Sequence, residues 1–306
     1  MTEALLWIGF VAFIVGMLVL DLKVLQKKDR DIMVREALLW TLFWIILSLL
    51  FNVGVYLYMG RDYALEFLTG YLIEKALSVD NIFVFILIFT YFDIPPRYQH
   101  KILFWGILGA IVMRAAFILA GVAIIQRLHW AIYILGAFLV YIGIKMAFEK
   151  EKEIHPEKNP ALRAFNKVYP VDYNYKGGNF FIKKAGKLVA TPIFVVLLVI
   201  ETTDIVFAID SIPAILSITL HPFIVFTSNI FAILGLRALY FAVSGIMKLF
   251  NYLNYGLSLI LVFVGVKMLI SDFYKIPVSI ALSVVGALLV GSILLSILLP
   301  EKKKKD

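Results

Sequence analysis

Two short acidic motifs lie inside strongly apolar segments of the chain. The first, "EKALSVDNIF" at residues 74–83, stands between "LEFLTGYLI" and "VFILIF", and the second, "VIETTDIVFAIDSIPAIL", covers residues 199–216. A carboxylate in hydrocarbon costs at least about 2–3 kcal/mol and persists mainly where it faces a cavity or a partner. The motifs therefore predict a polar site within the membrane.

The donor atoms available to such a site are all oxygens. The chain has no cysteine, and its four histidines lie in loops or at predicted helix ends. An all-oxygen site favours Mg²⁺, Ca²⁺ or Mn²⁺ over copper or zinc. The motif acids with Glu201 count five negative charges against Lys75, Arg114 and Arg237, so the balance is −5 + 3 = −2, which one divalent ion would neutralise. The candidate ligands are Glu74, Asp80, Asn81, Asp204, Asp210, Ser211 and Asn229.

Several neighbouring residues have two possible roles. Glu201 is either a ligand or an acid that carries protons or gates the site, and Asn229 either coordinates or bonds across helices. Ser78 shares a helix face with Glu74. In a regular helix Asp80 points about 120° away from Glu74, so either the helix breaks near residue 78 or Asp80 faces a different wall of the site. The two intramembrane arginines, Arg114 and Arg237, are interpreted as counter-ions for acids instead of ligands for an anion.

The composition predicts an all-α polytopic membrane protein. Hydrophobic residues make up 62% of the 306 residues and charged residues 16%, and the mean hydropathy is +0.94. Lysine and arginine concentrate in linkers and in the tail "PEKKKKD", so the net charge of +8 indicates membrane sidedness and not nucleic-acid binding. The absence of cysteine excludes disulfides and thiol redox chemistry by this chain.

About nine transmembrane helices are expected. The basic linkers follow the positive-inside rule if the N-terminus lies outside and the C-terminus in the cytoplasm. The predicted units are two N-terminal helices (1–63), a three-helix repeat (64–148), a polar cytoplasmic linker (149–187), a second three-helix repeat (188–270), and a last helix with a basic tail (271–306). The apolar segments cover residues 4–22, 37–59, 64–92, 102–125, 130–148, 188–218, 222–247, 254–270 and 277–299.

The two membrane halves share a spacing of charges. In each half two acids lie six residues apart, and an arginine follows inside an apolar helix. The motif "YIGIKM" at 141–146 of the first half resembles "FVGVKM" at 263–268 of the second half. Lys145 and Lys267, in these last motifs, are expected to extend to the membrane surface. Because three helices and the linker separate the copies, an inverted repeat with a midplane site is predicted.

These motifs identify the chain as a member of the TerC family, within the LysE-like transporter group. The resemblance covers residues 35–295 and rests on "EKALSVDNIFVF", "ETTDIVFAIDSIPAIL" and "FTSNIFAILGLRALYF". It implies a bacterial inner-membrane protein linked to manganese export and to tellurium resistance. The resemblance carries functional roles over to Glu74, Asp80, Asn81, Asp204, Asp210, Ser211 and Asn229.

Our functional hypothesis is a secondary transporter that exports Mn²⁺ as its substrate, with no prosthetic group. The chain has no Walker-type phosphate loop, so an ion gradient would supply the energy. The alternatives are a membrane scaffold that recruits stress-response partners and, more remotely, an intramembrane enzyme. The expected partners are the metal ion and the lipid bilayer, and the sequence leaves open whether the chain forms a homo-oligomer.

Overall fold

The computed structural model describes residues 2–25, 34–128, 130–148, 159–175, 177–184, 186–246 and 252–298. The chain is mostly helical, as the composition predicts. In order, its elements are α1 (Thr2–Leu25), α2 (Val34–Met59), α3 (Arg61–Tyr91), α4 (Pro96–Arg127), α5 (Ala131–Phe148), α6 (Pro160–Val168), β1 (Phe181–Lys184), β2 (Lys187–Ala190), α7 (Pro192–Leu216), α8 (Pro222–Ile233), α9 (Leu236–Ile246), α10 (Leu253–Leu269) and α11 (Val278–Leu298).

Six helical segments are long and apolar enough to cross a membrane, which confirms the prediction of a polytopic membrane protein. They are α2, α4, α5, α7, α11 and the stretch Pro222–Ser244 that contains α8. Two shorter apolar stretches are Leu5–Leu20 and Leu253–Leu269. Helix α3 has 31 residues, more than the roughly 20 that a span requires, but its charged residues lower its hydropathy.

The segment predicted as a linker contains folded structure that the sequence analysis did not anticipate. Asn159 caps α6 by accepting hydrogen bonds from two backbone amides, and β1 pairs with β2 as an antiparallel hairpin. Strand β2 continues to Ala190, so α7 begins at Pro192 and not at residue 188. Beside the hairpin, Lys184 donates a 2.7 Å hydrogen bond to Asp172, which lowers the pKa of that carboxyl below its usual value.

The apolar segment predicted as one helix over 222–247 is broken in its middle. Helix α8 ends at Ile233, and α9 begins at Leu236 after Gly235, whose φ of +80° lies in the left-handed region that glycine tolerates. Trp44 of α2 covers the break, because a Cβ added to Gly235 would lie 2.5 Å from its ring. A larger residue at 235 would therefore adopt an unfavourable backbone conformation and would also overlap the ring of Trp44.

Helices α5 and α10 approach each other closely through glycines. A Cβ at Gly143 would lie 2.8 Å from the Ser258 carbonyl oxygen, and one at Gly265 would lie 2.6 Å from the Gly136 carbonyl oxygen. Position 143 of α5 thus meets the start of α10, and position 265 meets the start of α5. The two helices are therefore antiparallel, at a separation that only glycine allows at these points.

Two pairs of parallel helices surround the acidic motifs. Helix α4 packs on α7, with Gly106 against Ile200 and Gly121 against Leu216. Helix α3 packs on α8, with Gly70 against Ser228. Hydrogen bonds also join residue 74 to residue 229 and residue 75 to residue 232. Residue numbers rise together along each pair, which makes the helices of each pair parallel. The first motif, on α3, and the second, on α7, consequently face a common interior.

The α5–α10 contact predicts that Gly265→Ala destabilises the protein. The added methyl group would overlap the Gly136 carbonyl oxygen, and overpacking of this kind typically costs about 1–3 kcal/mol. Gly286→Ala on α11 is the matched control, because no atom lies within 4 Å of the added Cβ. Thermal unfolding in detergent should show a lower Tm for Gly265→Ala alone, and equal Tm values for both variants would contradict this packing.

Candidate functional site

The candidate site is centred on Arg114, which lies deep in the bundle. Arg114 is the nineteenth residue of α4, about 27 Å from the start of that helix, and only 1% of it is exposed. Arginine stays protonated in proteins, so a guanidinium at this depth requires anionic and hydrogen-bonding partners. The residues around it supply both kinds of partner.

The first motif contributes one anionic partner from α3. Arg114 Nη1 donates a hydrogen bond to Glu74 Oε1 and forms an ion pair with it. Ser78, one helical turn beyond Glu74, has its Oγ 3.5 Å from the same carboxylate oxygen. Helix α3 continues unbroken through these residues, so the helix break considered near residue 78 does not occur.

The second half of the chain supplies the remaining partners. Arg114 Nη2 lies 3.5 Å from Asp204 Oδ1, and Nη1 lies 3.1 Å from Ser211 Oγ and 3.2 Å from Asn229 Oδ1. The Asn229 amide also donates a 3.0 Å hydrogen bond to Glu74 Oε2. Glu74, Asp204, Ser211 and Asn229, all predicted ligands, therefore meet around one guanidinium.

Two buried atoms of this cluster lack a hydrogen-bond partner in the described part of the chain. They are Arg114 Nε and Asp204 Oδ2. Asp204 also lines a pocket of ≈ 10 Å³, about the volume that one water molecule needs. The other residues lining this pocket are Phe85, Leu103, Gly106, Ile107, Ala110, Ile200 and Leu236. The second oxygen of Asp204 is thus available to a further polar or cationic group.

Glu201 lies one helical turn before Asp204 and contacts a glycine of α4. Its carboxylate lies so close to Gly109 that a Cβ added there would overlap it. The side chain is partly buried. Gly109 therefore provides the space in which this carboxylate lies between α4 and α7, and a larger side chain at 109 would displace Glu201.

The remaining predicted residues lie on α3, α7 and α9. Asn81 is buried one turn beyond Ser78, Asp210 is partly buried six residues after Asp204, and Arg237 is buried in the first turn of α9. Asp80 is in α3, but its side chain lies outside the described part of the structure. A regular helix turns residues six apart about 120° away from each other. The two acids that lie six residues apart in each motif are therefore on different faces of their helix.

No group of three or more histidine, aspartate or glutamate side chains in the described ranges could hold a metal ion. Glu74 and Asp204 instead bind the guanidinium of Arg114. In this conformation the guanidinium of Arg114 lies between the two motifs, where the sequence analysis expected a metal ion.

Two lysines have contacts that the sequence analysis missed. Lys267 is buried, although it was expected to reach the membrane surface, and donates a 2.7 Å hydrogen bond to the Ser217 carbonyl after α7. Lys75 donates a 3.2 Å hydrogen bond to the Ala232 carbonyl of α8. Both acceptors lie at helix ends, where carbonyls lack an amide partner. The glycine in "FAILGLRAL" was the sequence signal for the helix end beside Lys75.

The fold and the cluster define a polytopic helical membrane protein with a buried, charge-paired site. The chain belongs to the integral membrane protein TerC family, whose model matches residues 59–304. This result confirms the family predicted from the acidic motifs.

The similar proteins are bacterial and match over nearly their full length. "Uncharacterized membrane protein STKORF319" of Myxococcus xanthus is 50% identical over 96% of this chain and 92% of its own. "Putative membrane-bound redox modulator Alx" of Escherichia coli K12 is 44% identical over 95% of this chain and 94% of its own. An "Uncharacterized membrane protein" of Rickettsia bellii is 43% identical over 95% of this chain and 97% of its own. No solved structure matches the chain significantly.

The cluster predicts that Arg114→Gln strongly destabilises the protein. Removing one member of a buried ion pair typically costs about 3–5 kcal/mol, because an uncompensated charge stays behind. The double variant Glu74→Gln/Arg114→Gln removes one opposite charge as well and should recover part of the loss. Thermal unfolding in detergent measures both effects.

Lys145→Gln is the control for this experiment, because Lys145 is exposed at the end of α5. Its Tm should stay close to that of the unmodified protein. A double variant less stable than Arg114→Gln would contradict the pairing of Glu74 with Arg114.

Proposed function

We propose that the chain is a secondary transporter that exports a hard divalent cation, Mn²⁺, across the bacterial inner membrane. The supporting observation is the meeting of carboxylates from both acidic motifs around one buried cation, with Ser211 and Asn229 adding neutral oxygens. Carboxylates, hydroxyls and amide oxygens are the ligands that Mn²⁺ shares with Mg²⁺ and Ca²⁺. The choice of Mn²⁺ follows the resemblance to the TerC family.

In this proposal the substrate cation competes with Arg114 for the motif carboxylates. Asp204 Oδ2 has no hydrogen-bond partner among the described residues, and we therefore assign the first contact with the entering ion to this oxygen. As the ion binds, Glu74 and Asp204 transfer from the guanidinium to the metal. Asp80, Asp210 and Glu201 supply further carboxylates, and protons exchanged on these acids could drive export. The transport cycle requires no prosthetic group and no catalytic step.

The proposal includes alternating access between inverted repeats. The α5–α10 contact supports it, because Gly143 meets residues 258 and 262 whereas Gly265 meets residues 136 and 140. Each α10 position follows its α5 counterpart by the same 122 residues, since 265 follows 143, 258 follows 136 and 262 follows 140. Equivalent residues thus make equivalent contacts across two antiparallel helices, which is typical of a two-fold axis in the membrane plane.

The proposed topology has nine spans. Helices α8 and α9 together form one of them, and α6 stays in the cytoplasmic linker with the hairpin. The N-terminus then lies outside and the C-terminus in the cytoplasm, which places the basic linkers on the cytoplasmic side.

The rival function is a membrane scaffold in a redox-linked stress response. The name of the Escherichia coli relative, which includes "redox modulator", favours it. The present chain has no cysteine, so thiol exchange would have to occur on a partner. A scaffold requires no ion to cross the membrane, and transport therefore distinguishes the two functions.

Everted membrane vesicles that contain the chain should accumulate Mn²⁺, and Asp204→Asn and Asp210→Asn should abolish the accumulation. Each substitution removes a charge with little change in volume. Asp172→Asn is the control, because Asp172 lies beside the hairpin outside the membrane segments and should leave transport unchanged. Export by Asp204→Asn at the normal rate would remove that residue from the proposed site.

Single cysteines test the topology in this cysteine-free chain. Val168→Cys at the end of α6 and Phe273→Cys after α10 replace residues that are 85% and 89% exposed. A membrane-impermeant maleimide should label Phe273→Cys in intact cells and Val168→Cys only in everted vesicles. Labelling of both cysteines from one side would contradict the inverted repeat.

A further inference from the structure

The break between α8 and α9 leaves carbonyl groups without helical partners inside the membrane. In an unbroken helix the carbonyls of residues 231–234 would accept hydrogen bonds from the amides of residues 235–238. The described hydrogen bonds on the two sides of the break instead join the Leu234 amide to the Ile230 carbonyl and the Leu239 amide to the Gly235 carbonyl. The end of α8 therefore presents buried carbonyl oxygens with the partial negative charge of a helix C-terminus.

A cationic side chain already binds this helix end. Lys75 Nζ lies 3.2 Å from the Ala232 carbonyl oxygen, and this is its one hydrogen bond in the described part of the chain. The described residues include no carboxylate within ion-pairing distance of Lys75. An ammonium group about 21 Å along α3 is costly in a membrane, and among the described residues it is stabilised by this backbone carbonyl.

This helix end adjoins the carboxylate cluster. Ala232 follows Asn229 by three residues, so both lie on the same side of α8 about one turn apart. Lys75 follows Glu74 directly, and Glu74 accepts the hydrogen bond of the Asn229 amide. Carboxylate, amide oxygen and backbone carbonyl are together a ligand set that suits a hard divalent cation.

We propose that the C-terminal carbonyls of α8 are a second cation-binding station, which the Lys75 ammonium occupies in this conformation and the transported ion occupies during export. This inference rests on the proposed function. Lys75 acts as a tethered competitor, because its positive charge and the ion cannot both bind the same carbonyls. The competition lowers the affinity for the ion and favours its release.

The test is the affinity for Mn²⁺ of the purified full chain in detergent, measured by isothermal titration calorimetry. Lys75→Met removes the charge and keeps the length of the side chain, so binding should tighten at least about tenfold. Lys75→Arg keeps the charge and should not tighten binding. Lys145→Met, on the exposed end of α5, is the matched control and should bind like the unmodified protein.

A chemical rescue tests the same charge in a single variant. The chain has no other cysteine, so Lys75→Cys can be modified selectively with aminoethyl methanethiosulfonate, which restores an ammonium group, or with the neutral ethyl reagent. The aminoethyl adduct should bind Mn²⁺ at least about tenfold more weakly than the ethyl adduct. This comparison remains valid if Lys75→Met fails to fold, because both adducts come from one preparation.

The outcomes separate the two proposals. Suppose that the unmodified protein binds Mn²⁺ and that removing the charge at residue 75 leaves this affinity unchanged or weakens it. Lys75 then only caps α8, and the proposed cation-binding station at the end of α8 is contradicted. If the folded, unmodified protein does not bind Mn²⁺ at all, the proposed export function itself is contradicted.

Discussion

The buried guanidinium of Arg114 is the constraint on which the centre of this structure depends. It keeps its charge at any physiological pH, so the fold must bring acids to it from elsewhere in the chain. Glu74 comes from α3 and Asp204 from α7, while Asn229 of α8 bonds both Arg114 and Glu74. Two consecutive helices of the first half, α3 and α4, are thereby tied to two consecutive helices of the second half, α7 and α8.

Glycines supply the space that this arrangement requires. Gly109 leaves room for the Glu201 carboxylate between α4 and α7, and Gly70 allows α3 to approach α8. Gly143 and Gly265 do the same between α5 and α10. Such close approach brings polar side chains from different helices within hydrogen-bonding distance, and small residues at helix interfaces serve this purpose in membrane proteins. The charge cluster and the glycine contacts are thus two parts of one packing arrangement.

Hydropathy and motif spacing predicted the membrane class and the family, and four of the seven residues proposed as metal ligands are those that meet at Arg114. Periodicity correctly placed Ser78 on the face of Glu74, because i and i+4 neighbours are determined by helix geometry alone. The break at Gly235 was missed, since an isolated glycine in an apolar run is compatible with a continuous helix until Trp44 is known to lie against it. Lys75 was only counted as a charge, because its partner is a backbone carbonyl made available by that break.

Within the site the carboxylates of Glu74 and Asp204 are both paired with the guanidinium of Arg114. Desolvated acids without a positive partner would take up protons or destabilise the bundle, so Arg114 maintains charge balance while no ion is bound. An arriving divalent ion adds two positive charges to a cluster that is already paired, and Arg114 must then move or an acid must change partner. Arg114 lies on α4 of the first half and Asp204 on α7 of the second half, so an exchange of partners between them would itself shift one half against the other. In the proposed cycle, electrostatic balance therefore couples ion binding to the conformational change.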